Sequence, residues 1–157
     1  MKKKVVKITL IVLLLSIFIY DTYQVQFVKK HKKDDNTLSV EYENAGNLLL
    51  RDIHEGNTTS LKITVKNNSD SAKSFLFSFD EVVNNTLSTS EIYYFITRDD
   101  GNVLLFSGEY PKSNVVLDVG DNIEGYETVN YVVSVSALKL DEKDINKNIQ
   151  SRIKLIV

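Results

Sequence analysis

The side chains of this sequence that could carry acid, base or metal chemistry are two histidines and a few runs of carboxylates. Adjacent acids occur at Asp99/Asp100 and Asp141/Glu142. General acid and base work needs two carboxyl groups that converge on one bond, whereas neighbours in sequence point to opposite faces of a strand or out of a turn. The run Asp141-Glu-Lys-Asp-Ile-Asn-Lys-Asn places oxygen-bearing side chains at 141, 142, 144, 146 and 148, which suits a hard cation such as calcium. It lacks the glycine and glutamate that an EF-hand requires at its sixth and twelfth positions, and Lys143 and Lys147 bring positive charge into it. A solvated turn is expected there, and Asp118-Val-Gly-Asp-Asn is read in the same way, as a turn that ends a strand.

His31 lies in a lysine run and reads as part of a solvated tail. His54, in Asp52-Ile-His-Glu, reads as a loop residue. Neither has a nucleophile or a second histidine at ligand spacing, so Ser-His-Asp chemistry and zinc hydrolysis find little support. The chain has no cysteine, which excludes disulfides, thiolate nucleophiles and thiolate metal sites. No catalytic, cofactor-binding or metal-binding residue is therefore expected, and the protein reads as a non-enzyme. The Asn57-Thr-Thr, Asn67-Asn-Ser and Asn84-Asn-Thr triplets match the glycosylation acceptor pattern and are expected in exposed loops. In a chain this rich in Lys, Asn and Ile, such triplets arise by chance and are expected to stay unmodified. Of the eight Tyr and seven Phe, Phe75, Phe77 and Phe79 are expected in the core, while Tyr93, Phe95 and Tyr110 are candidates for an outward partner surface.

The elements that would position these residues begin with a membrane address. Lys2, Lys3, Lys4 and Lys7 lead into the apolar run Ile8–Tyr20, and Lys29, Lys30, Lys32 and Lys33 close the segment. Twelve residues between Val5 and Ile19 are Val, Ile, Leu or Phe, which together favour insertion by roughly 4 to 7 kcal/mol. The uninterrupted core would rise about 20 Å as a helix against a hydrocarbon thickness of about 30 Å. Extending the helix over residues 5–23 reaches the needed length, and no small-residue cleavage site follows the run. An uncleaved signal anchor is expected, with a cleaved signal peptide as the alternative. Lys7 abuts the run more closely than Lys29 does, which favours a cytoplasmic N-terminus and an exterior domain. The lysines at 29–33 read as a solvated linker or, alternatively, as a patch on anionic lipid or wall polymer.

The expected map is an anchor at 1–28, a basic-to-acidic linker at 29–37 and an exterior domain at 38–157. Residues 1–33 hold eight Lys and one Asp, net +7, leaving eleven Lys or Arg and twenty Asp or Glu, net −9, for residues 34–157. An acidic domain repels phosphate backbones and no basic stripe is present, so nucleic acid is not an expected partner.

From Leu38 onward the apolar residues alternate with period two, and no long stretch shows helical spacing. Strands are expected at Leu38–Glu43, Leu48–Leu50, Leu61–Lys66, around Phe75–Phe79, at Ile92–Thr97, Val103–Ser107, Val115–Val119, Thr128–Leu138 and Ile149–Val157. Asp100-Gly101 suits a hairpin turn that needs positive φ. Eight or nine short strands with little helix predict an all-β, antiparallel two-layer sandwich, immunoglobulin-like or jelly-roll, behind one N-terminal transmembrane helix.

The order of parts from Phe75 to Val157 resembles the secreted β-sandwich domains of Gram-positive bacteria related to camelysin and the TasA biofilm-fibre proteins. The likeness lies in an aromatic strand ending in DEVVNN (Asp80–Asn85), the hairpin YYFITRDDGNVLLFSGEYP (Tyr93–Pro111), the strand NYVVSVS (Asn130–Ser136) and the polar loop DEKDINKN (Asp141–Asn148) before the last strand. The resemblance implies an extracellular matrix or surface role and transfers no catalytic residue. The missing cleavage site departs from the pattern of secreted fibre subunits. The function expected is a membrane-anchored exterior module that binds another surface protein or assembles at the surface. The alternative is a fibre or biofilm-matrix subunit released by signal cleavage.

Overall fold

The computed structural model describes residues 37–98 and 102–157, and the period-two alternation becomes nine strands. These are β1 (Leu38–Tyr42), β2 (Asn47–Leu50), β3 (Thr58–Asn67), β4 (Lys73–Val83), β5 (Glu91–Arg98), β6 (Val103–Glu109), β7 (Val115–Ile123), β8 (Thr128–Lys139) and β9 (Ile149–Ile156), with short 3-10 turns at Glu43–Gly46 and Glu142–Asp144. Each lies within a few residues of an expected strand. The expected anchor at residues 5–23, the lysines at 29–33, His31 and the Asp99/Asp100 pair lie outside the described residues. Among the described residues no helix is long and apolar enough to cross a membrane.

All pairings are antiparallel, in the orders β1-β3-β8-β5-β6 and β2-β9-β4-β7. Only β5 and β6 are consecutive strands that pair with each other; at every other step the chain crosses to the opposite sheet. The β5–β6 pairing runs up to Arg98 opposite Val103, as the Asp-Gly signal predicts.

The two inner faces make one core. Leu61, Ile63 and Val65 of β3 and Val129, Tyr131, Val133, Val135 and Ala137 of β8 are buried, each alternating with a more exposed neighbour. Across from them, Phe75, Phe77 and Phe79 are 2 %, 1 % and 1 % exposed. Phe75 and Phe77 meet the Tyr131 ring edge-on at 5.7 and 5.5 Å, and Phe79 meets Tyr94 at 5.0 Å. Such edge-to-face contacts add to the burial energy of large rings, and here they join one sheet to the other. The final strand is internal: β9 lies between β2 and β4 and buries Ile149 and Ile153.

One expected turn is instead the middle of a strand. Asp118-Val-Gly-Asp-Asn lies inside β7, where the ladder to β4 slips between Leu76 and Ser78. A Cβ on Gly120 would stand 1.8 Å from the Phe75 carbonyl oxygen, so this glycine marks a close approach of two backbones at a bulge and not the end of a strand. Asp121 shares the inward parity of Leu117 and Ile123 on β7 and meets Tyr131 there.

Candidate functional site

Two of the three Asn-x-Ser/Thr triplets are not in exposed loops. Asn67 is fully buried and Asn84 is 6 % exposed, because each closes the same small ring. The Asn67 Oδ1 accepts from Ser69 N at 2.9 Å and Ser69 Oγ at 2.7 Å; the Asn84 Oδ1 accepts from Thr86 N at 3.3 Å and Thr86 Oγ1 at 2.7 Å. Their amides reach distant loops. Asn67 Nδ2 donates to the carbonyls of Ser71, Ile123 and Glu124, and Asn84 Nδ2 to those of Tyr110 and Pro111. Asn side chains favour such rings with their own backbone, and burial follows once the amide also finds partners. Asn57 remains half-buried and accepts from His54 N at 2.8 Å.

Beside Asn84 a pocket of about 250 Å³ opens, lined by Thr86, Ser88, Ser90, Glu109, Tyr110 and Lys112 among others. Lys112 Nζ donates to Thr86 O at 2.7 Å and Thr86 Oγ1 at 2.6 Å, and stands 3.4 Å from Asn84 Oδ1. Burial pushes the Lys112 ammonium below its ordinary range; Asp144 and Glu109 oppose that shift, and Lys147 adds to it. Tyr110, a candidate for the outward surface, is instead 4 % exposed and packs on Phe79 at 5.6 Å. Burial pushes its phenol up to about 12.

The next loop is a latch, where a solvated turn was expected. Asp144 is fully buried. Its carboxylate accepts from Leu87 N at 2.7 Å, Ser90 Oγ at 2.5 Å and Lys147 Nζ at 2.6 Å. Burial alone would raise its pKa, but these bonds outweigh it and hold the carboxyl below the usual range. Asp141 caps the 3-10 turn by accepting from Lys143 N at 3.0 Å and takes a bond from Thr89 Oγ1 at 3.1 Å. The loop at 141–148 therefore binds the loop at 84–90, with the ammonium of Lys147 where a metal ion would otherwise balance charge. Among the described residues no three His, Asp or Glu side chains gather as a metal-holding group.

At the opposite end of β8, Tyr131 Oη donates to Asp121 Oδ2 at 2.7 Å. Arg98 bridges Asp121 at 3.0 Å and Glu127 at 2.6 Å, tying down the turn end of the β5–β6 hairpin, where Arg98 pairs with Val103. Burial, reinforced by the Asp121 carboxylate, pushes the Tyr131 phenol far above its ordinary value. Sequence reasoning missed this cluster because its members lie on β5, on β7, just before β8 and on β8, and only the packing of the two sheets brings them together.

The remaining feature is apolar. On the flank where β6 and β7 are the outermost strands of the two sheets, Val103, Leu104, Phe106, Val115 and Val116 are 47, 58, 37, 37 and 50 % exposed. Phe106 and Val115 pair with the inward-facing Ile96 and Phe79, so the seam between the sheets is open there. Tyr93 and Phe95 are half-buried on the outer face of the five-stranded sheet, alternating with the buried Ile92, Tyr94 and Ile96. His54 is exposed, with Nδ1 3.3 Å from the Asp52 carbonyl oxygen.

The sequence matches no protein-family model and no curated protein. Among solved structures, the chain is similar to the native structure of a family 35 carbohydrate binding module from Clostridium thermocellum, at 14 % identity and a TM-score of 0.33, over 74 % of this chain and 90 % of that one.

Proposed function

We propose that this chain is a membrane-anchored exterior β-sandwich module that binds another surface protein through its β6–β7 flank, and that it is not an enzyme. The observation that carries the reading is the run of exposed apolar side chains on that flank, Val103, Leu104, Phe106, Val115 and Val116. Phe106 and Val115, which pair with the inward-facing Ile96 and Phe79, leave apolar surface exposed at the open seam, and exposed apolar surface is a mark of interaction sites. The anchor rests on the apolar and lysine pattern of residues 5–23, and an extracellular role agrees with the camelysin and TasA resemblance.

Of the two sandwich types, the strand order favours the jelly roll. Strands β2 to β9 form two four-stranded layers, β2-β9-β4-β7 and β3-β8-β5-β6, with β1 added beside β3 and successive strands crossing between layers. Bulges interrupt both edge ladders of the apolar flank, at Leu105 between the pairs formed by Ile96 and Thr97, and in β7 opposite Leu76 and Ser78. A bulged edge is a poor template for an added strand. The flank thus offers side chains more than backbone, which favours docking of a folded partner over the strand exchange of a fibre subunit.

The test is the full chain carrying Leu104→Lys and Val116→Lys together. Cross-linking in detergent-solubilised membranes should recover a companion protein with the wild type and lose it with the variant, at an unchanged far-ultraviolet spectrum. A wild type that is always recovered alone, or a variant that keeps its companion, would sink the reading.

A further inference from the structure

We propose that the outer face of the five-stranded sheet binds a neutral carbohydrate chain, in a trough of hydroxyl groups walled by Tyr93 and Phe95. This face is distinct from the β6–β7 flank and would give the domain a second ligand.

The strand register builds the trough. Two outward rows cross the sheet side by side. In one, Thr58 of β3 lies opposite Ser136 of β8, and Ser136 opposite Tyr93 of β5; in the other, Ser60 lies opposite Ser134, and Ser134 opposite Phe95. Neighbouring strands are about 4.8 Å apart, and outward residues along one strand are about 6.7 Å apart. The Ser and Thr hydroxyls thus make a floor of that spacing, with the two rings along one side of it. Thr58 and Ser60 are exposed, and Ser134, Ser136, Tyr93 and Phe95 are half-buried. Thr58 Oγ1 and Ser136 Oγ are bonded at 2.8 Å, which leaves each with capacity to bond outward. On its far side Phe95 lies opposite Ser107 of β6. Its direct neighbours on both adjoining strands are therefore serines, and nothing large rises beside the ring in its row.

Charge and composition select the occupant. Residues 34–157 hold eleven Lys or Arg against twenty Asp or Glu, net −9, yet the side chains of these two rows from β3 to β5 carry no charge. The outer face of the other sheet differs: there β4 and β9 present the ion pairs Glu81–Arg152 and Asp80–Lys154. The uncharged trough has nothing to attract an ion, and the acidic domain around it repels anionic polymers. Ser and Thr are also under-represented where protein interfaces hold their binding energy. The matching ligand is neutral, with hydroxyl groups on its edges and C–H groups on its faces. Its edges exchange hydrogen bonds with Ser and Thr, which both donate and accept, and its weakly positive C–H face lies on the negative face of an aromatic ring. Sugar rings have both features. Two aromatic rings two residues apart on one face of β5 suit a chain of sugars better than a single one.

The test is binding of the purified full chain, in a detergent without a sugar head group, to an array of immobilised neutral and anionic oligosaccharides. The wild type should bind neutral oligosaccharides in preference to anionic ones. Tyr93→Ala with Phe95→Ala should weaken that binding by at least about tenfold. Ser60→Glu, which puts a longer, charged side chain into the trough at an exposed position, should do the same, each at an unchanged far-ultraviolet spectrum. Leu104→Lys with Val116→Lys should leave it as it is, since that flank is a different surface. The proposal is overturned by a wild type that binds no neutral oligosaccharide, by binding confined to anionic ones, or by ring and trough variants that bind as the wild type does. Ser60→Glu disturbs no buried side chain, so it decides the matter if the ring variant fails to fold.

Discussion

The two flanks of the sandwich solve the same problem in opposite ways. On one, β1 and β2 are only five and four residues long and are joined by the 3-10 turn Glu43–Gly46. That crossover shuts the seam. Leu38, Val40 and Tyr42 pack against the core from β1, and Tyr42 Oη accepts from Leu155 N of the other sheet at 3.0 Å. Glu43 accepts from Lys62 N at 3.0 Å, and Gly46, at φ +82°, brings the backbone against Ile153. On the other flank β6 and β7 are seven and nine residues long, and the connection between them reaches Asn84 and Thr86 through Lys112 without covering Phe106 or Val115. Short edge strands and a tight crossover are what a sheet uses to protect itself; a long apolar edge blunted only by bulges leaves side chains available to a partner. The contrast places stability on the first flank and, on the function proposed above, recognition on the second.

The contrast breaks first if the flanks are not mechanically joined. β9 connects β2 on the closed side to β4, and through it to β7 on the open side. Ending the chain at Asn148 should abolish the cooperative thermal transition, since burial of an internal strand contributes on the order of 5 kcal/mol or more, comparable to the stability of a whole domain. A shortened chain that still melts cooperatively would show that the closed flank does not need the strand.

A smaller effect is expected at the latch that holds the loop at 84–90 beside the open flank. Asp144→Asn leaves Lys147 without its carboxylate and weakens the buried bonds from Leu87 N and Ser90 Oγ, which should lower the unfolding free energy by about 1 to 3 kcal/mol. The folded-state pKa of Asp144 lies below its ordinary value of 3.8. Its contribution is therefore complete above that value and is lost as pH falls through it toward the folded-state pKa. Thermal melts of the wild type should drop in this acid window, and those of the variant should drop less. Parallel acid profiles would remove Asp144 from the account.

The finest comparison sets one residue from each flank side by side. Gly46→Ala puts a Cβ 2.8 Å from the Ile153 carbonyl oxygen at φ +82°, and should cost about 2 kcal/mol. Leu104→Ser, at a position 58 % exposed, should change stability by less than about 0.5 kcal/mol. Denaturant midpoints measure both, and equal losses would erase the distinction between a structural and a recognition flank.

Much of the fold was legible because strand formation is local. Alternation at Leu61, Ile63 and Val65, and at Ile149, Ser151 and Ile153, announces an inner and an outer face within a few residues, and Asp100-Gly101 announces a hairpin. Where both faces are apolar the parity is undetermined. Ile92, Tyr94 and Ile96 face inward and Tyr93 and Phe95 outward, a choice made by the pairing with β8 and not by hydrophobicity. Tyr110 reads from sequence like Tyr93, yet it fills the space beside Phe79.

The site was much less legible, because burial of a polar group depends on partners that are remote in the chain. Asn57, Asn67 and Asn84 share one local pattern, and only the last two find carbonyls 26 to 57 residues away. Asp144 and Gly120 read as turn residues until β4, β7 and the loop at 84–90 are placed around them. The sequence by itself determined the strands and the sign of the domain's charge, since alternation and composition need no neighbours. Tertiary structure alone decided the sheet order, the bulge at Gly120, the open flank and the meeting of Lys112 with Asn84. Each of these is a contact between segments whose proximity is set by the packing of the two sheets, and no short stretch of sequence encodes that packing.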